Sequence, residues 1–155
     1  MEDWLINDTS DMFKDDQPPR SNQAPLDWKY LIEETMASKN YRGILDDMNP
    51  TDAGNHIHEW LEDEFSEIPG LKWENFCSYE NDEGEDINGK YDAFDGSYVY
   101  EFKTKFDHRI GSDLLPMEDD LEQVDDYLNA LDTDYGVLVY IGRGDFEVEE
   151  YLVHR

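Results

Sequence analysis

An excess of acidic side chains constrains this chain more than any other feature of its sequence. The 155 residues include 40 Asp and Glu but only 12 Lys and Arg, which gives a formal net charge of −28 at pH 7. Repulsion of this size opposes compaction unless the chain buries a large core or salt screens the charges. Because 4 Trp, 10 Tyr and 7 Phe exceed the aromatic content of disordered chains, we expect a folded protein.

The acidic residues are spread along the whole sequence. An acidic tail would concentrate them at one end and a DNA mimic would gather them on one face, whereas adaptation to high salt distributes them over all exposed positions. No uninterrupted acidic run is longer than three residues, as at Glu118-Asp119-Asp120. The pattern resembles that of proteins from salt-loving archaea, in which a Debye length of about 3 Å at 1 M salt screens the repulsion.

Length and composition predict one domain with its own core. We expect a loose N-terminal arm over residues 1–26 and a single domain over residues 27–155. The sequence has neither an apolar run of about 18–20 residues nor the pattern of a signal peptide, so we expect a cytoplasmic protein that does not enter a membrane. The single Cys77 excludes an internal disulfide and an iron–sulfur cluster held by four cysteines of this chain.

Hydrophobic periodicity predicts three helices and five strands in the order ααβββαββ. The predicted helices cover residues 26–40, the segment that follows Thr51 as N-cap, and residues 118–131. The predicted strands cover residues 71–79, 87–94, 97–105, 135–141 and 146–153. This order favours an α/β (α+β) fold in which a mixed central sheet is flanked by helices.

The central hairpin carries the charged residues with the clearest chemical meaning. With Asp95-Gly96 as a two-residue turn, Asp92 and Glu101 become diagonal neighbours about 7–8 Å apart, a spacing that two carboxylates bridge around a hard cation. A three-residue loop would separate them onto opposite faces. Alternation assigns one face to Lys90, Asp92, Glu101, Lys103 and Lys105, and the other to Tyr91, Ala93, Tyr98, Tyr100 and Phe102.

This set of side chains suits phosphodiester hydrolysis. A divalent metal activates water and neutralises charge on the phosphoryl group, and Lys103 points to the same side as Glu101, where it can stabilise the transition state. The alternative is a solvated strand with alternating charges, which the abundance of acids makes common.

Four motifs resemble those of the PD-(D/E)XK nuclease superfamily, whose members have a restriction-endonuclease-like fold. Two of them, Gly89-Lys90-Tyr91-Asp92 and Glu101-Phe102-Lys103, resemble the core of the superfamily. Gly54 to His58, with Glu62 beyond, resembles the Gly-x-x-x-His helix of the RecB-like branch, and Gln123 to Tyr127 resembles its Gln-x-x-x-Tyr helix. The motifs occur in the family order and span residues 54–141.

The resemblance implies that His58, Asp92, Glu101 and the carbonyl of Phe102 bind Mg²⁺ or Mn²⁺ while Lys103 assists the attacking water. It also implies that Gln123 and Tyr127 reach the site, although Tyr127 as a core aromatic and Gln123 as a solvated neighbour are equally open. His56 competes with His58, but a separation of two residues rotates a helix by about 200°, so only one of them can face the metal.

The remaining expectation concerns the substrate. Residues 88–109 contain four basic and four acidic residues, so the rest of the chain holds the whole net charge. We expect a polyanion to approach there, with Lys90, Lys105 and Arg109 as DNA contacts. The resemblance therefore implies a metal-dependent deoxyribonuclease of the RecB-like branch. It would be an exonuclease in recombination, repair or viral replication, working with a helicase or another recombination protein. A catalytically silent DNA mimic or binding module and a restriction or junction-type endonuclease are the alternatives.

Overall fold

A mixed sheet with helices on both faces forms the body of the protein. The computed structural model describes residues 5–8, 25–39, 48–106, 109–144 and 146–154. The strands described are β1 (Leu5–Asp8), β2 (Lys72–Glu80), β3 (Asp86–Phe94), β4 (Tyr98–Lys105), β5 (Tyr135–Gly142) and β6 (Val148–His154), and the helices are α1 (Trp28–Lys39), α2 (Pro50–Phe65) and α3 (Glu118–Leu131). The strand order is β1-β6-β5-β4-β3-β2. Because β4 and β5 run parallel while the other neighbours are antiparallel, the predicted mixed sheet flanked by helices is confirmed.

Two cores lie on opposite faces of this sheet. Helices α1 and α2 cover one face, where Trp28 is fully buried and its ring makes edge contacts with Phe65, Tyr100 and Phe102. Helix α3 covers the other face through Val124 and its buried neighbours. None of the described helices is both long and apolar enough to cross a membrane.

The predicted elements match the observed ones with two differences at helix and chain ends. Asn49, rather than the predicted Thr51, caps α2, since its side chain accepts a hydrogen bond from the backbone N–H of Asp52 at 2.9 Å and Pro50 follows at the first helical position. Strand β1 lies within the predicted arm and pairs antiparallel with the edge of β6, which the sequence did not predict. The rest of that arm up to residue 24 lies outside the described residues.

The turn of the β3–β4 hairpin is longer than predicted. Phe94 pairs with Val99, so four residues rather than two separate the paired positions, and the Asp95 carboxylate caps the loop by accepting from the backbone N–H groups of Ser97 and Tyr98. The register therefore shifts by two residues from the predicted one. Because side chains alternate with a period of two, this shift keeps Asp92 and Glu101 within reach of each other.

A local irregularity at Asp92 divides β3 between the two faces. Glu74 lies opposite Asp92 on β2 and has a φ of 40°. Asp92 and Glu74 do not pair, although the residues that flank them on both strands do. Beyond this break Tyr91 packs in the α3 core while Ala93 packs in the α1–α2 core. The prediction that Tyr91 shares a face with Ala93 is therefore wrong, and so is the placement of Lys90 with Glu101 and Lys103.

Candidate metal centre

Three elements bring a histidine and two carboxylates together. His58 comes from α2, Asp92 from β3 and Glu101 from β4, and one potential ligand atom of each lies within 4.8 Å of the others. The sequence predicted these three residues as ligands, and the structure places them at one point. The described pairing between β3 and β4 is confined to the two residue pairs next to the loop. Asp92 and Glu101 therefore lie where the two strands begin to diverge.

Helix α2 presents the imidazole of His58 through one fixed ring nitrogen. Nδ1 lies 2.6 Å from the carbonyl oxygen of Gly54, one turn earlier, and Nε2 lies 3.0 Å from Oδ2 of Asp92. A hydrogen bond from Nδ1–H to the Gly54 carbonyl leaves Nε2 facing the carboxylates, which is the usual arrangement of a metal-binding histidine. His56 is exposed, so of the two histidines it is His58 that lies beside Asp92 and Glu101.

Asp92 is held as a charged acceptor. Its Oδ2 also accepts the backbone N–H of Phe102 at 2.8 Å, which ties β3 to β4 at the centre. Burial opposes ionisation of Asp92, but hydrogen bonds from Glu101, His58 and Phe102 outweigh it and lower the pKa of this carboxyl. The pKa of His58 is raised above its ordinary value. Burial lowers this pKa, but the hydrogen bond to Asp92 and the negative charge of Asp92 raise it by more.

Glu101 is a buried acid with an unused oxygen. Only 3% of the residue is exposed, and its Oε2 atom has no hydrogen-bond partner among the described residues. Burial, the charge of Asp92 and a hydrogen bond to Asp92 raise the pKa of Glu101 well above its ordinary value. A buried carboxyl oxygen without a partner is costly and marks the position where a cation would complete the coordination.

The donor set fits a divalent cation. Carboxylate oxygens are preferred by Mg²⁺ and Mn²⁺, and an imidazole nitrogen beside them suits the softer Mn²⁺ better than Mg²⁺. The one described cysteine, Cys77, is a free thiol and is not part of this cluster.

Lys103 and Phe102 continue β4 beyond Glu101. Lys103 lies two residues from Glu101 on the same face, and its positive charge acts on both Glu101 and His58, lowering the pKa of each. Phe102 buries its ring against Trp28 and Trp73 and so fixes the strand. The role of its carbonyl oxygen as a metal ligand stays a prediction.

Helix α3 reaches the centre through Tyr127. The Tyr127 hydroxyl donates to the carbonyl of Lys90 and accepts from Nε2 of Gln123, both at 3.0 Å. The Tyr127 side chain also contacts Glu101, and burial together with the charge of Glu101 raises the pKa of the phenol. Tyr127 is at the same time a buried core residue, and the roles of Tyr127 and Gln123 in the site stay predictions.

The three predicted DNA contacts have different surroundings. Lys90 is half-exposed, 3.6 Å from Glu74 and over the ring of Phe76. Lys105 is largely buried beside α3, with its ammonium 3.9 Å from Asp120, so it already serves the packing of that helix. Arg109 lines a cavity beside the end of β4, and DNA binding by all three residues stays a prediction.

Sequence reasoning missed one buried cation and one close backbone contact. Arg143, in the turn after β5, is only 5% exposed, and nothing in the sequence distinguishes it from an exposed turn residue. Gly89 belongs to the Gly-x-x-Asp motif, and the sequence does not show why glycine is needed there. In the structure, a Cβ at this position would lie 2.7 Å from the ring of Tyr127.

Replacing Gly89 with alanine is therefore expected to destabilise the fold by about 1–3 kcal/mol, because the ring of Tyr127 must move. Gly54→Ala is the matched control, since its Cβ would lie 3.9 Å from Thr104, an ordinary contact, and alanine favours a helix by up to about 1 kcal/mol. Thermal unfolding of both variants tests this. Equal stability of the two would contradict the close packing of β3 on Tyr127.

Glu101→Gln is expected to stabilise the metal-free protein above mildly acidic pH. A raised pKa means that the folded state favours protonated Glu101, so its contribution to stability is lost as pH rises from the ordinary value of 4.5 through the folded one. Glutamine keeps the hydrogen bond to Asp92 without the charge. In EDTA, the melting temperature of the variant should exceed that of the wild type by several degrees near pH 8, about 1–3 kcal/mol, and by much less near pH 5. A difference in melting temperature that does not change with pH would refute the raised pKa of Glu101.

Mn²⁺ affinity is expected to rise with pH. Without metal, His58 and Glu101 both hold protons more tightly than usual, and a cation must displace them. Each displaced proton contributes up to about a tenfold gain in affinity per pH unit below the relevant pKa. Calorimetric titration between about pH 5 and pH 8, in buffers of different ionisation enthalpy, measures the protons released. An Mn²⁺ affinity that does not change with pH would contradict the protonation of His58 and Glu101 in the metal-free site.

Comparisons with known proteins define similarity in structure only. No protein-family model matches the sequence, and no curated protein matches it. Five chains among solved structures match. One of them, described as the crystal structure of SSO0001, is 28% identical with a TM-score of 0.53 and covers 65% of this chain. The match spans 49% of that chain, so the matched part of this protein corresponds to about half of its neighbour.

Proposed function

We propose that this protein is a metal-dependent nuclease that hydrolyses phosphodiester bonds in DNA. The observation that carries the proposal is the convergence of His58, Asp92 and Glu101 within 4.8 Å, with Lys103 beside them on the strand that supplies Glu101. When bound, a divalent cation supplies activation of water and neutralisation of phosphoryl charge. Of Mg²⁺ and Mn²⁺, Mn²⁺ better matches the mixed nitrogen and oxygen donors.

The protein's own groups have separable tasks in this scheme. Asp92 and Glu101 provide oxygen ligands, and the Gly54 carbonyl orients His58 so that its Nε2 atom is available. Asp92 also joins β3 to β4 through the N–H of Phe102, so the ligand positions are fixed before any cation arrives. Tyr127 supports Glu101 from the side of α3.

Lys103 supplies positive charge where the reaction develops negative charge. It carries an ammonium group close to the carboxylates, and such a group can hold the nucleophilic water or stabilise the pentavalent phosphorus. Lys90 is excluded from this role, since it lies on the other face of β3 and contacts Glu74. The alternative of a solvated strand with alternating charges is disfavoured by the burial of Glu101. A solvated acidic side chain would be exposed, whereas Glu101 is only 3% exposed.

DNA as the substrate is supported by the local charge balance. Residues 88–109 carry no net charge in a chain of −28, and a bound cation would make this segment the most favourable approach for a polyanion. Recombination, repair or viral replication, and a helicase partner, stay predictions of the family resemblance.

Cleavage of a substrate panel tests the proposal. Linear and closed circular DNA, each single- and double-stranded, is incubated with the protein in molar KCl with Mn²⁺, Mg²⁺ or EDTA. We expect metal-dependent cleavage that His58→Ala abolishes and that His56→Ala, on the exposed side of the same helix, leaves intact. Cleavage of circles would identify an endonuclease, and cleavage of ends alone an exonuclease. If every substrate stays intact with wild-type protein, the protein is not a nuclease and the binding-module alternative replaces the proposal.

A further inference from the structure

A cavity lies beside the carboxyl end of β4, next to the start of α2. Its volume is about 190 Å³, and the described residues that line it are Pro50, Thr104, Lys105, Phe106, Arg109 and Arg143. Three of these six described residues are basic, with the Lys105 ammonium also facing Asp120 at 3.9 Å, and none of the six is acidic. In a chain in which acids outnumber bases 40 to 12, this composition indicates a ligand that carries negative charge.

Arg143 is built rigidly into the wall of the cavity. Only 5% of it is exposed, its guanidinium lies 4.7 Å from the centre of the Phe106 ring, and its NH2 group donates to the carbonyl of Met48. Its backbone N–H donates to the Lys105 carbonyl at 2.9 Å. A guanidinium that is stacked and hydrogen-bonded in this way loses little further freedom when an anion binds.

Arg109 contributes one donor, Nε, that no acceptor in the described part of the chain satisfies. Its Nε atom is buried and has no hydrogen-bond partner among the described residues. A buried donor without an acceptor is costly, and a planar guanidinium matches the oxygens of a phosphate group in a bidentate fashion. The unused donor therefore points to an oxyanion rather than to an apolar ligand.

The cavity lies at a useful distance from the metal centre. Pro50 precedes His58 by eight residues on α2, which corresponds to about 12 Å along the helix axis, and Thr104 follows Glu101 by three residues on β4, or about 10 Å. Successive phosphates of a duplex strand are separated by at least the axial rise of about 3.4 Å, so this distance spans at most roughly three to four nucleotides. A strand cut at the metal centre would thus place another of its phosphates in the cavity.

We propose that this cavity binds a phosphate group of the DNA substrate and fixes the strand relative to the metal centre. The inference rests on the proposed function for the identity of the substrate. A terminal phosphate and an internal phosphodiester offer the same oxygens, so both sources enter the test. If a terminal phosphate is captured, the enzyme releases short oligonucleotides of up to about four nucleotides.

Oligonucleotide binding without cleavage tests the inference separately from the nuclease proposal. Three DNA oligonucleotides of one sequence, with a 5′-phosphate, a 3′-phosphate or neither, are titrated in EDTA against wild type, Arg109→Ala and Lys72→Ala. Lys72 is an exposed lysine on the edge strand β2 and serves as the charge-matched control. A shift of melting temperature with inorganic phosphate at constant ionic strength is measured for the same proteins, and it also verifies that Arg109→Ala is folded.

Arg109→Ala is expected to lower the affinity for the oligonucleotide whose phosphate enters the cavity by about tenfold, as the loss of one charge-assisted contact would. The variant is also expected to lose the thermal stabilisation by inorganic phosphate. A loss confined to one phosphorylated end identifies a terminal phosphate, and an equal loss for all three identifies an internal one. Losses no larger than those of Lys72→Ala, or absence of oligonucleotide binding by the wild type, would overturn the inference. Failure of metal-dependent cleavage with these binding results intact would instead refute only the nuclease proposal.

Discussion

Lys103→Ala is expected to reduce DNA cleavage by about a hundredfold or more, the effect typical of removing one stabilising donor from an active centre. Its affinity for Mn²⁺ should stay close to that of the wild type, because the ligands His58, Asp92 and Glu101 are untouched. Single-turnover cleavage in molar KCl, with Mn²⁺ affinity measured in parallel, separates the two effects.

Lys72→Ala provides the control for this prediction, since it removes the same charge from an exposed position on β2. It should cleave at the wild-type rate. Cleavage by Lys103→Ala at the rate of this control would remove the lysine from the mechanism. A parallel loss of Mn²⁺ affinity would reassign Lys103 to maintaining the site.

Asp92→Asn is expected to have the second-largest effect, with Mn²⁺ affinity lowered by about a hundredfold and activity lost with it. The substitution removes the central carboxylate but keeps an oxygen that can accept the N–H of Phe102. Removing a charged partner from a buried pair also costs about 1–3 kcal/mol. Calorimetric Mn²⁺ titration and thermal unfolding measure the two consequences.

Asp86→Asn is the matched control for Asp92→Asn, because Asp86 is an exposed aspartate at the start of the same strand. It should bind Mn²⁺ as the wild type does. Equal affinities for the two variants would show that Asp92 is not a ligand.

The sequence predicted that His58, Asp92 and Glu101 meet because the order of the family-like motifs added to what local periodicity indicates. Helix periodicity placed His58 on the side of Ile57 and Leu61, which are both fully buried, and strand alternation placed Glu101 and Lys103 together. Helix α3 was predicted with its observed ends, since its apolar positions Leu121, Val124, Leu128 and Leu131 recur at helical spacing.

Features set by loop geometry, by irregular backbone or by contacts distant in sequence were beyond such reasoning. The hairpin register depends on Asp95 capping a four-residue loop, and the face of Tyr91 depends on the irregular backbone at Glu74. The pairing of β1 with β6 joins the two ends of the chain. Arg143 becomes buried only because Met48 and Phe106, far apart in sequence, meet beside it.

Crystals grown or soaked with Mn²⁺ and measured at the manganese absorption edge test the central claim most directly. The account predicts an anomalous peak bounded by Nε2 of His58 and the carboxylates of Asp92 and Glu101, at coordination distances of about 2.0–2.3 Å. A peak elsewhere, or none between these three residues at saturating Mn²⁺, would contradict it.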